Sequence, residues 1–483
     1  MWMPDNTLFI PVKDPNLAET RTAPAIADVE ARLENFDEIE QTYTPEEAAA
    51  EAARCLKCPT HWCQKACPAG MPVTDFIALA RAGKLEEAYR LIRSASTLPE
   101  ICSRVCPQEK QCQSNCTRGI RTQAVGIGRL ERFVVEQHYA SGAPEAKAAP
   151  TGKQVAVVGS GPSGLSAAQR LADLGHAVTV FERDDRPGGL LEYGIPNMKL
   201  EKGVVQRKVR ALEAQGVTFR TGVNVGSDVA AEELTGRYDA VVLAVGARHA
   251  RTLNPDGAEK VKQGILPAVE FLSAATKAVL AGGHPAGVRG KDVVIVGGGD
   301  TGSDCVGTAL RQGCRSVTQV EMLPEQPGRQ ILFEVHPPRP KEQKRDFSQE
   351  ECARVFGDPH LYQTTVQAVS ADGAGRLRSV TLVSLRPRYG AHFRLTMEKI
   401  PGTEREIPCQ ALIVAAGFLG PEGATAEAFG LKTDGRSHLC ADGYLARSRV
   451  FVCGDCRTGQ SLVVKAMVDG RDCADAVDAF LRR

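Results

Sequence analysis

The chain has 483 residues and a formal net charge of +1. That length suggests about three domains, and the near-neutral balance gives no basic field to attract nucleic acid. No apolar run approaches the ~18 residues of a membrane span, so neither nucleic acid nor a membrane is expected as a partner.

The N-terminal stretch MWMPDNTLFIPV lacks the basic and apolar regions of a signal peptide, so a cytoplasmic location is expected. Sixteen cysteines without an export signal read as thiols, metal ligands or redox groups rather than disulfides. Eight lie from Cys55 to Cys116, none between Cys116 and Cys305, and eight from Cys305 onward.

Residues 1 to 50 carry little signal. TPEEAAAEAARC, Thr44 to Cys55, reads as a helix with Thr44 as N-cap and Glu47 completing a capping box. It leads into Cys55, Cys58, Cys63 and Cys67, spaced C-x2-C-x4-C-x3-C-P. Thr74 to Ser96 shows helical spacing in two pieces broken near Gly83. Cys102, Cys106, Cys112 and Cys116 follow, then a helix near Gly128 to His138 and a soft linker from Ala140 to Gly152. Residues 1 to 145 therefore read as a small helical domain with cysteine-rich loops. Zinc sites usually pair C-x2-C with a second C-x2-C or with His. Here each group ends in an x3 spacing, nearer the ferredoxin run whose fourth cysteine crosses to another cluster. On that logic Cys55, Cys58 and Cys63 hold one [4Fe–4S] cluster. Cys67 crosses to a second with Cys106 and Cys112, and Cys116 crosses back. Zinc and unligated thiols remain the alternatives.

Lys153 to Glu182 carries the clearest signal. An apolar strand, Val155 to Val158, runs into Gly159, Gly161 and Gly164, spaced G-x-G-x-x-G, then into an alanine-rich helix. A second strand, Val178 to Phe181, ends in Glu182. Glycine gives the tight turn, the close approach to a pyrophosphate and the close helix–strand packing. The helix N-terminus offers free N–H groups, and the acid suits a ribose. The loop RPGGLLEYGIPNMKL supplies backbone N–H groups to a cofactor, and Tyr238 to Ala247 is a strand ending in small residues. A second unit, Lys291 to Gly313, repeats the pattern with Gly297, Gly299 and Gly302, and its second strand ends at Glu321. Two units imply two nucleotides, a degenerate second site being the alternative. Cys305 reads as a small core residue.

From Pro324 to Pro359 the chain is proline-rich and reads as a surface loop with a helix near Ser348 to Val355, His336 and His360 being surface groups. Strands follow at Gly375 to Leu385, Ala391 to Met397 and Ala411 to Gly420. Near the end a strand, Gly454-Asp455 and a long helix suit a flavin: the aspartate can take ribityl hydroxyls and the helix N-terminus can face the pyrimidine edge. Cys453 and Cys456 read as two thiols in a tight loop rather than a redox dithiol, since such dithiols more often open a helix.

Together the two cysteine groups, RPGGLLEYGIPNMKLEK, VVIVGGGDTGSDC, AAGFLGPE and VFVCGDCRTGQSLVVKAMVDGR resemble the glutamate synthase small (beta) subunit family. They also resemble the wider flavin reductase group that includes the N-terminal part of dihydropyrimidine dehydrogenase. The resemblance runs from about Arg54 to Val477. It implies an N-terminal all-α iron–sulfur domain (1–145) followed by two α/β Rossmann-like units, the second inserted in the first. FAD is expected on 146–265 and 410–483, and NAD(P)H on 266–409. By position, one cluster takes Cys55, Cys58, Cys63 and Cys116, and the other takes Cys67, Cys106, Cys112 and Glu131, with Cys102 spare.

The candidate cofactor-binding residues are then Gly159, Gly161, Pro162, Ser163 and Gly164, Glu182 and Arg183, Gly189 and Leu190, and Gly246. Gly454, Asp455, Ser461, Leu462 and Val463 join them near the C-terminus. The second unit offers Gly297, Gly299, Asp300, Thr301, Gly302 and Glu321, with Gly417 at a later strand end. Many relatives place arginines where Glu321 stands. A carboxylate there repels a 2′-phosphate and favours NADH. The resemblance implies electron input to a large (alpha) subunit that makes glutamate from glutamine and 2-oxoglutarate. No side-chain acid or base is needed for hydride transfer. The competing readings are a reductase of the same build serving ferredoxin, a pyrimidine or a sulfur compound, and a non-catalytic cluster-bearing sensor or scaffold, against which two intact nucleotide units argue.

Overall fold

The computed structural model describes residues 15–325, 346–389 and 395–483, apart from 144 and 146, with the backbone alone at 329–332 and 339–342. The N-terminal residues 1–14, His336 and the beginning of the strand expected at Ala391 lie outside the described residues.

Helices build the first region: α1 (Pro45–Ala52), α2 (Val73–Arg81), α3 (Leu85–Ala95), α4 (Pro99–Val105) and α5 (Ile127–Ser141). The Thr44 capping box forms as its sequence demands, with Thr44 and Glu47 exchanging side-chain and backbone hydrogen bonds. The break between α2 and α3 falls at Gly83, as expected. Phe76, Ile77, Ile92, Leu130 and Val134 meet in one core between these helices. A buried ion pair ties the region together. Glu51 and Arg54 are both fully buried, 2.9 Å apart. Glu51 also accepts from the Thr22 and Gly126 backbone N–H groups at 2.7 Å, and Arg54 donates to the Gln123 and Ala18 carbonyls.

The first α/β unit starts with β1 (Gln154–Val158), α6 (Pro162–Asp173), β2 (Ala177–Phe181), α7 (Lys202–Gln215), β3 (Thr218–Arg220) and β4 (Ala240–Leu243). The second contains β5 (Ile265–Pro267), α8 (Ala268–Leu280), β6 (Asp292–Val296), α9 (Asp300–Arg311), β7 (Ser316–Glu321), α10 (Phe347–Val355), β8 (His360–Tyr362) and β9 (Ala411–Val414). The chain closes with β10 (Leu445–Arg447), β11 (Val450–Val452) and α11 (Val463–Leu481). One sheet has the order β10-β11-β4-β1-β2-β3, and the other β8-β7-β6-β9-β5. All pairings are parallel except β10 with β11.

The central strands β1, β4, β6 and β9 are buried on both faces, which explains their apolar runs. Val155 and Val157 face one core while Ala156 and Val158 face another. Val293 and Ile295 likewise oppose Val294 and Val296. The antiparallel strands Thr364–Ala371, Leu377–Tyr389, Leu395–Lys399 and Arg405–Pro408 form a separate sheet beside the second unit.

Two expectations need correction. Ala411–Val414 pairs with Val293–Val296 and with Ile265–Pro267, so this strand belongs to the second sheet and not to the returning segment expected from residue 410. Its four residues are all buried and would suit either sheet, because a doubly covered strand carries no mark of its partner. His360 is no surface group: its side chain is 7% exposed, stacked on Tyr362, with its ring between Asp358 and Gln349. No helix among the described residues is long and apolar enough to cross a membrane.

Glu51→Ala leaves the buried Arg54 guanidinium without its counter-ion. It is expected to cost about 3–5 kcal/mol, read as a lowered midpoint for the helical region in calorimetry. Glu47→Ala, which removes one exposed half of the Thr44 box, should cost a fraction of that.

Candidate functional site

The turn after β1 and the start of α6 form one wall of a cleft of about 1140 Å³. Gly159, Gly161, Pro162, Ser163, Glu182, Arg183, Gly189, Leu190, Gly246, Asp455, Ser461 and Val463 all line it. Two helix N-termini, those of α6 and α11, open on this one cleft, and each presents backbone N–H groups and a positive dipole end to a bound anion.

Gly164 sits beneath the wall rather than in it. A Cβ there would lie 2.0 Å from the Gly159 carbonyl oxygen, so only glycine lets α6 approach β1 this closely. Leu462 caps α11 and Gly454 precedes Asp455, both just behind the lining. Gly417 stands outside, against the Gln460 side chain.

Glu182 organises the turn. Its Oε2 accepts from the Ser160 N–H at 2.9 Å and from the Ser160 hydroxyl at 2.5 Å, and its Oε1 accepts from the Asp184 N–H at 2.9 Å. The Ser160 hydroxyl in turn accepts from the Gly188 N–H at 2.8 Å, fixing the following loop. Asp455 is pushed up to about 6 by burial, with Ser461 hydrogen bonds pulling it back. Asn224, Arg248, Glu422 and Thr425 also line the cleft, and the sequence reading missed them. Arg183 and Glu422 join across its rim at 2.5 Å, and Arg248 and Asp184 at 3.0 Å. Nothing in local spacing reveals such partners, because Glu422 arrives 239 residues after Arg183.

The second glycine turn repeats the construction. Gly299 caps α9, which opens at Asp300 and Thr301. A Cβ on Gly302 would lie 2.1 Å from the Gly297 carbonyl oxygen. Glu321 ends β7 and accepts from the Gly298 and Leu323 N–H groups, each at 2.8 Å.

The eight early cysteines fall into two places. Cys55, Cys58, Cys63 and Cys116 line one small apolar cavity of about 370 Å³ together with Trp62, Val73 and Ile77. Burial pushes Cys55 and Cys63 up to about 12, and the neighbouring thiols add to the rise. Cys67, Cys106 and Cys112 gather round Glu131 in the second place: burial raises Cys67 and Cys112, the adjacent Cys102 thiol raises Cys106 most, and Glu131 adds to all three. Glu131 is pushed up to about 8 by burial, and its Oε1 has no hydrogen-bond partner. Such a buried, unpartnered carboxylate among thiols suits a cationic group at that point. Among the described residues, no three His, Cys, Asp or Glu side chains converge on a single metal-ion position. Cys453 and Cys456 are fully buried, the Cys456 thiol donating to the Cys453 carbonyl.

A family described as "Dihydroprymidine dehydrogenase domain II, 4Fe-4S cluster" matches residues 32–143. One described as "Pyridine nucleotide-disulphide oxidoreductase" matches residues 153–331. The chain is similar to the glutamate synthase [NADPH] small chain of Bacillus subtilis: 36% identity, covering 95% of this chain and 96% of that one. The chain belongs to the glutamate synthase small-chain family. The Escherichia coli glutamate synthase [NADPH] small chain is 32% identical over 95% of this chain and 97% of its own length. The glutamate synthase [NADH] of Schizosaccharomyces pombe is 36% identical over 92% of this chain, which spans 22% of that longer protein. The structure titled "Mycobacterium tuberculosis FprA in complex with NADPH" superposes with a TM-score of 0.54 at 20% identity, over 68% of this chain and 85% of that one, a likeness of fold. This chain thus combines an iron–sulfur domain with a pyridine-nucleotide oxidoreductase fold.

Removing the Glu182 carboxylate strands the buried Ser160 N–H. Glu182→Ala is expected to cost about 1–3 kcal/mol in denaturant unfolding of the flavin-free protein, and Glu182→Gln, which keeps one acceptor oxygen, should cost less.

Proposed function

We propose that this oxidoreductase is the electron-input subunit of a glutamate synthase, taking NADH and delivering electrons to a large subunit that forms glutamate from glutamine and 2-oxoglutarate. The observation that carries this is a shared core. Leu98, Ile101 and Cys102 of the cysteine-bearing region are buried with Val155, Val157 and Leu165 of the cleft unit, and Cys106 packs against the same cluster. The cleft and one cysteine group are therefore parts of a single packed body, as a redox relay requires.

Bound in these places, FAD would accept a hydride from NAD(P)H and two [4Fe–4S] clusters would carry single electrons onward. The chain supplies binding and orientation. The N-termini of α6 and α11 and the Glu182-braced turn hold FAD, and Asp455 is placed for its ribityl hydroxyls. Cys55, Cys58, Cys63 and Cys116 hold one cluster; Cys67, Cys106, Cys112 and Glu131 hold the other. We read 1–145 as an all-α cluster domain, and 266 to Val414 as an NAD(P)H unit inserted in the FAD unit of 146–265 and the remaining C-terminal residues. A cytoplasmic setting accords with free thiols throughout.

Anaerobic purification of the tagged chain from its host tests the whole reading. A very large stoichiometric partner, glutamine- and 2-oxoglutarate-dependent NADH oxidation, and about eight irons per chain are expected. A lone chain without that activity would leave a reductase for another acceptor.

The two glycine turns separate the cofactors. Gly164→Ala should leave purified protein with under about a tenth of its flavin. Gly302→Ala should keep the flavin and slow its bleaching by NADH by roughly 100-fold. Glu321→Arg should shift the kcat/KM preference from NADH toward NADPH by roughly 10- to 100-fold, measured with both dinucleotides.

A further inference from the structure

The loop that lines the cleft also reaches the second glycine unit. Gly189, Leu190, Leu191 and Ile195 face the cleft. Four residues past Ile195, the half-buried Lys199 turns the other way. Its Nζ lies 2.6 Å from Asp304 Oδ1 and 3.4 Å from Asp346 Oδ2. Asp304 stands two residues beyond Gly302 on α9, with its side chain 8% exposed. Asp346 caps α10, accepting from the Ser348 N–H at 3.0 Å. One ammonium thus joins the flavin-side loop to the helix that starts at the nucleotide turn.

We propose that Lys199 is a positioning residue for hydride transfer, its ammonium shared by Asp304 and Asp346 so as to fix the register between the cleft loop and the nucleotide unit. This rests on the functional reading above. The two dinucleotides are held by separate sheets, so their relative placement depends on contacts across the seam. A hydride donor and acceptor must come within about 3–3.5 Å, and a misplacement of about 1 Å costs roughly 100-fold in rate. Both aspartates belong to the nucleotide unit, so without Lys199 they lose the cation that draws the cleft loop onto them, and two like charges are left unneutralised at the seam. Burial pushes Asp304 up to about 6, and Lys199 pulls it back toward the charged form. Neighbouring contacts clamp the same loop: the Ser273 hydroxyl of α8 donates to the Tyr193 carbonyl at 3.0 Å, and the Ile39 N–H donates to the Met198 carbonyl at 2.9 Å. These hold the loop backbone, whereas the lysine reaches α9 through a charge. The reaction it serves moves two electrons and a proton as hydride from the dinucleotide to the flavin, leaving NAD⁺.

Anaerobic stopped-flow mixing of the flavin-loaded full chain with NADH tests this in Lys199→Met, Lys199→Arg and Asp304→Asn. Lys199→Met is expected to lower the limiting rate of 450-nm bleaching at least about tenfold, with apparent NADH affinity changed less than about threefold. The long-wavelength charge-transfer absorbance of the stacked rings should weaken in parallel, while flavin content stays at the wild-type level. Lys199→Arg should recover most of the rate, and adding Asp304→Asn to Lys199→Met should slow it no further, since paired residues do not add. An unchanged limiting rate in Lys199→Met, or a loss confined to NADH affinity, overturns the assignment. Should Lys199→Met fail to retain flavin, Asp304→Asn carries the test by the same criteria. Wild-type protein whose flavin neither NADH nor NADPH bleaches would overturn the functional reading itself, and this inference with it.

Discussion

The burial of α4 in the core of the first sheet is the constraint on which the arrangement depends. Leu98 and Ile101 are fully buried there, among Val155, Val157, Leu165 and Val205. Each such side chain contributes about 1.5–3 kcal/mol through removal from water, and close packing admits little relative movement. Cys102 and Cys106 ride on the same helix end. Their distance from the cleft is thus set by apolar packing, not by the linker from Ala140 to Gly152, whose composition would give no fixed geometry. Charge pairs reinforce the junction: Glu136 on α5 accepts from Arg104 at 2.9 Å and from Arg207 on α7 at 2.6 Å.

A second layer of organisation comes from the early segment between Asp28 and Tyr43. Arg32 and Arg311 both pair with the fully buried Glu351, at 2.8 and 2.6 Å. The Asn35 carbonyl accepts from Arg311, and the Phe36 carbonyl accepts from Asn197. Glu38 takes Arg104 and Arg132. This short stretch therefore touches the cysteine region, the cleft loop and the nucleotide unit in succession. Buried charges of this kind are costly to desolvate, and their value lies in the single geometry they permit. A helical region that reads as a separate module from its cysteines is in fact bolted to both sheets.

Much of the plan was legible in the chain because it rests on short-range chemistry. The glycine turns, the acids at Glu182 and Glu321, the Thr44 box and the break at Gly83 each follow from a few neighbouring residues, and they lie where those residues require. What escaped the sequence depends on distant segments meeting. Glu422 and Asn224 line the cleft only because strands far apart in the chain become neighbours. The sheet to which Ala411–Val414 belongs is not legible, because four buried apolar residues do not say which neighbour they pair with. His360 seemed exposed within a polar, proline-rich stretch, yet β8 adds it to the edge of a sheet and Tyr362 covers its ring. Glu51 and Arg54 have the ordinary i,i+3 spacing of a helical pair, which carries no mark of burial. Only the packing of Thr22 and Gly126 against it reveals a buried pair.

The two connections between the sheets have one more property. Residues His249–Ala250 leave the first sheet and Phe418–Gly420 return to it, and these two passages pair with each other as antiparallel strands. The Gln460 side chain clasps the returning passage by accepting from the Phe418 N–H at 2.7 Å. The nucleotide unit thus hangs from a zipped stalk whose ends are already adjacent. Topologically the chain enters and leaves it through one doorway, and β4 pairs directly with β11 in the first sheet. A change confined to that unit would leave the first sheet's own pairing intact, and would reach the cysteine-bearing helices and the cleft through side chains that cross to it, among them Arg32, Arg311 and Lys199.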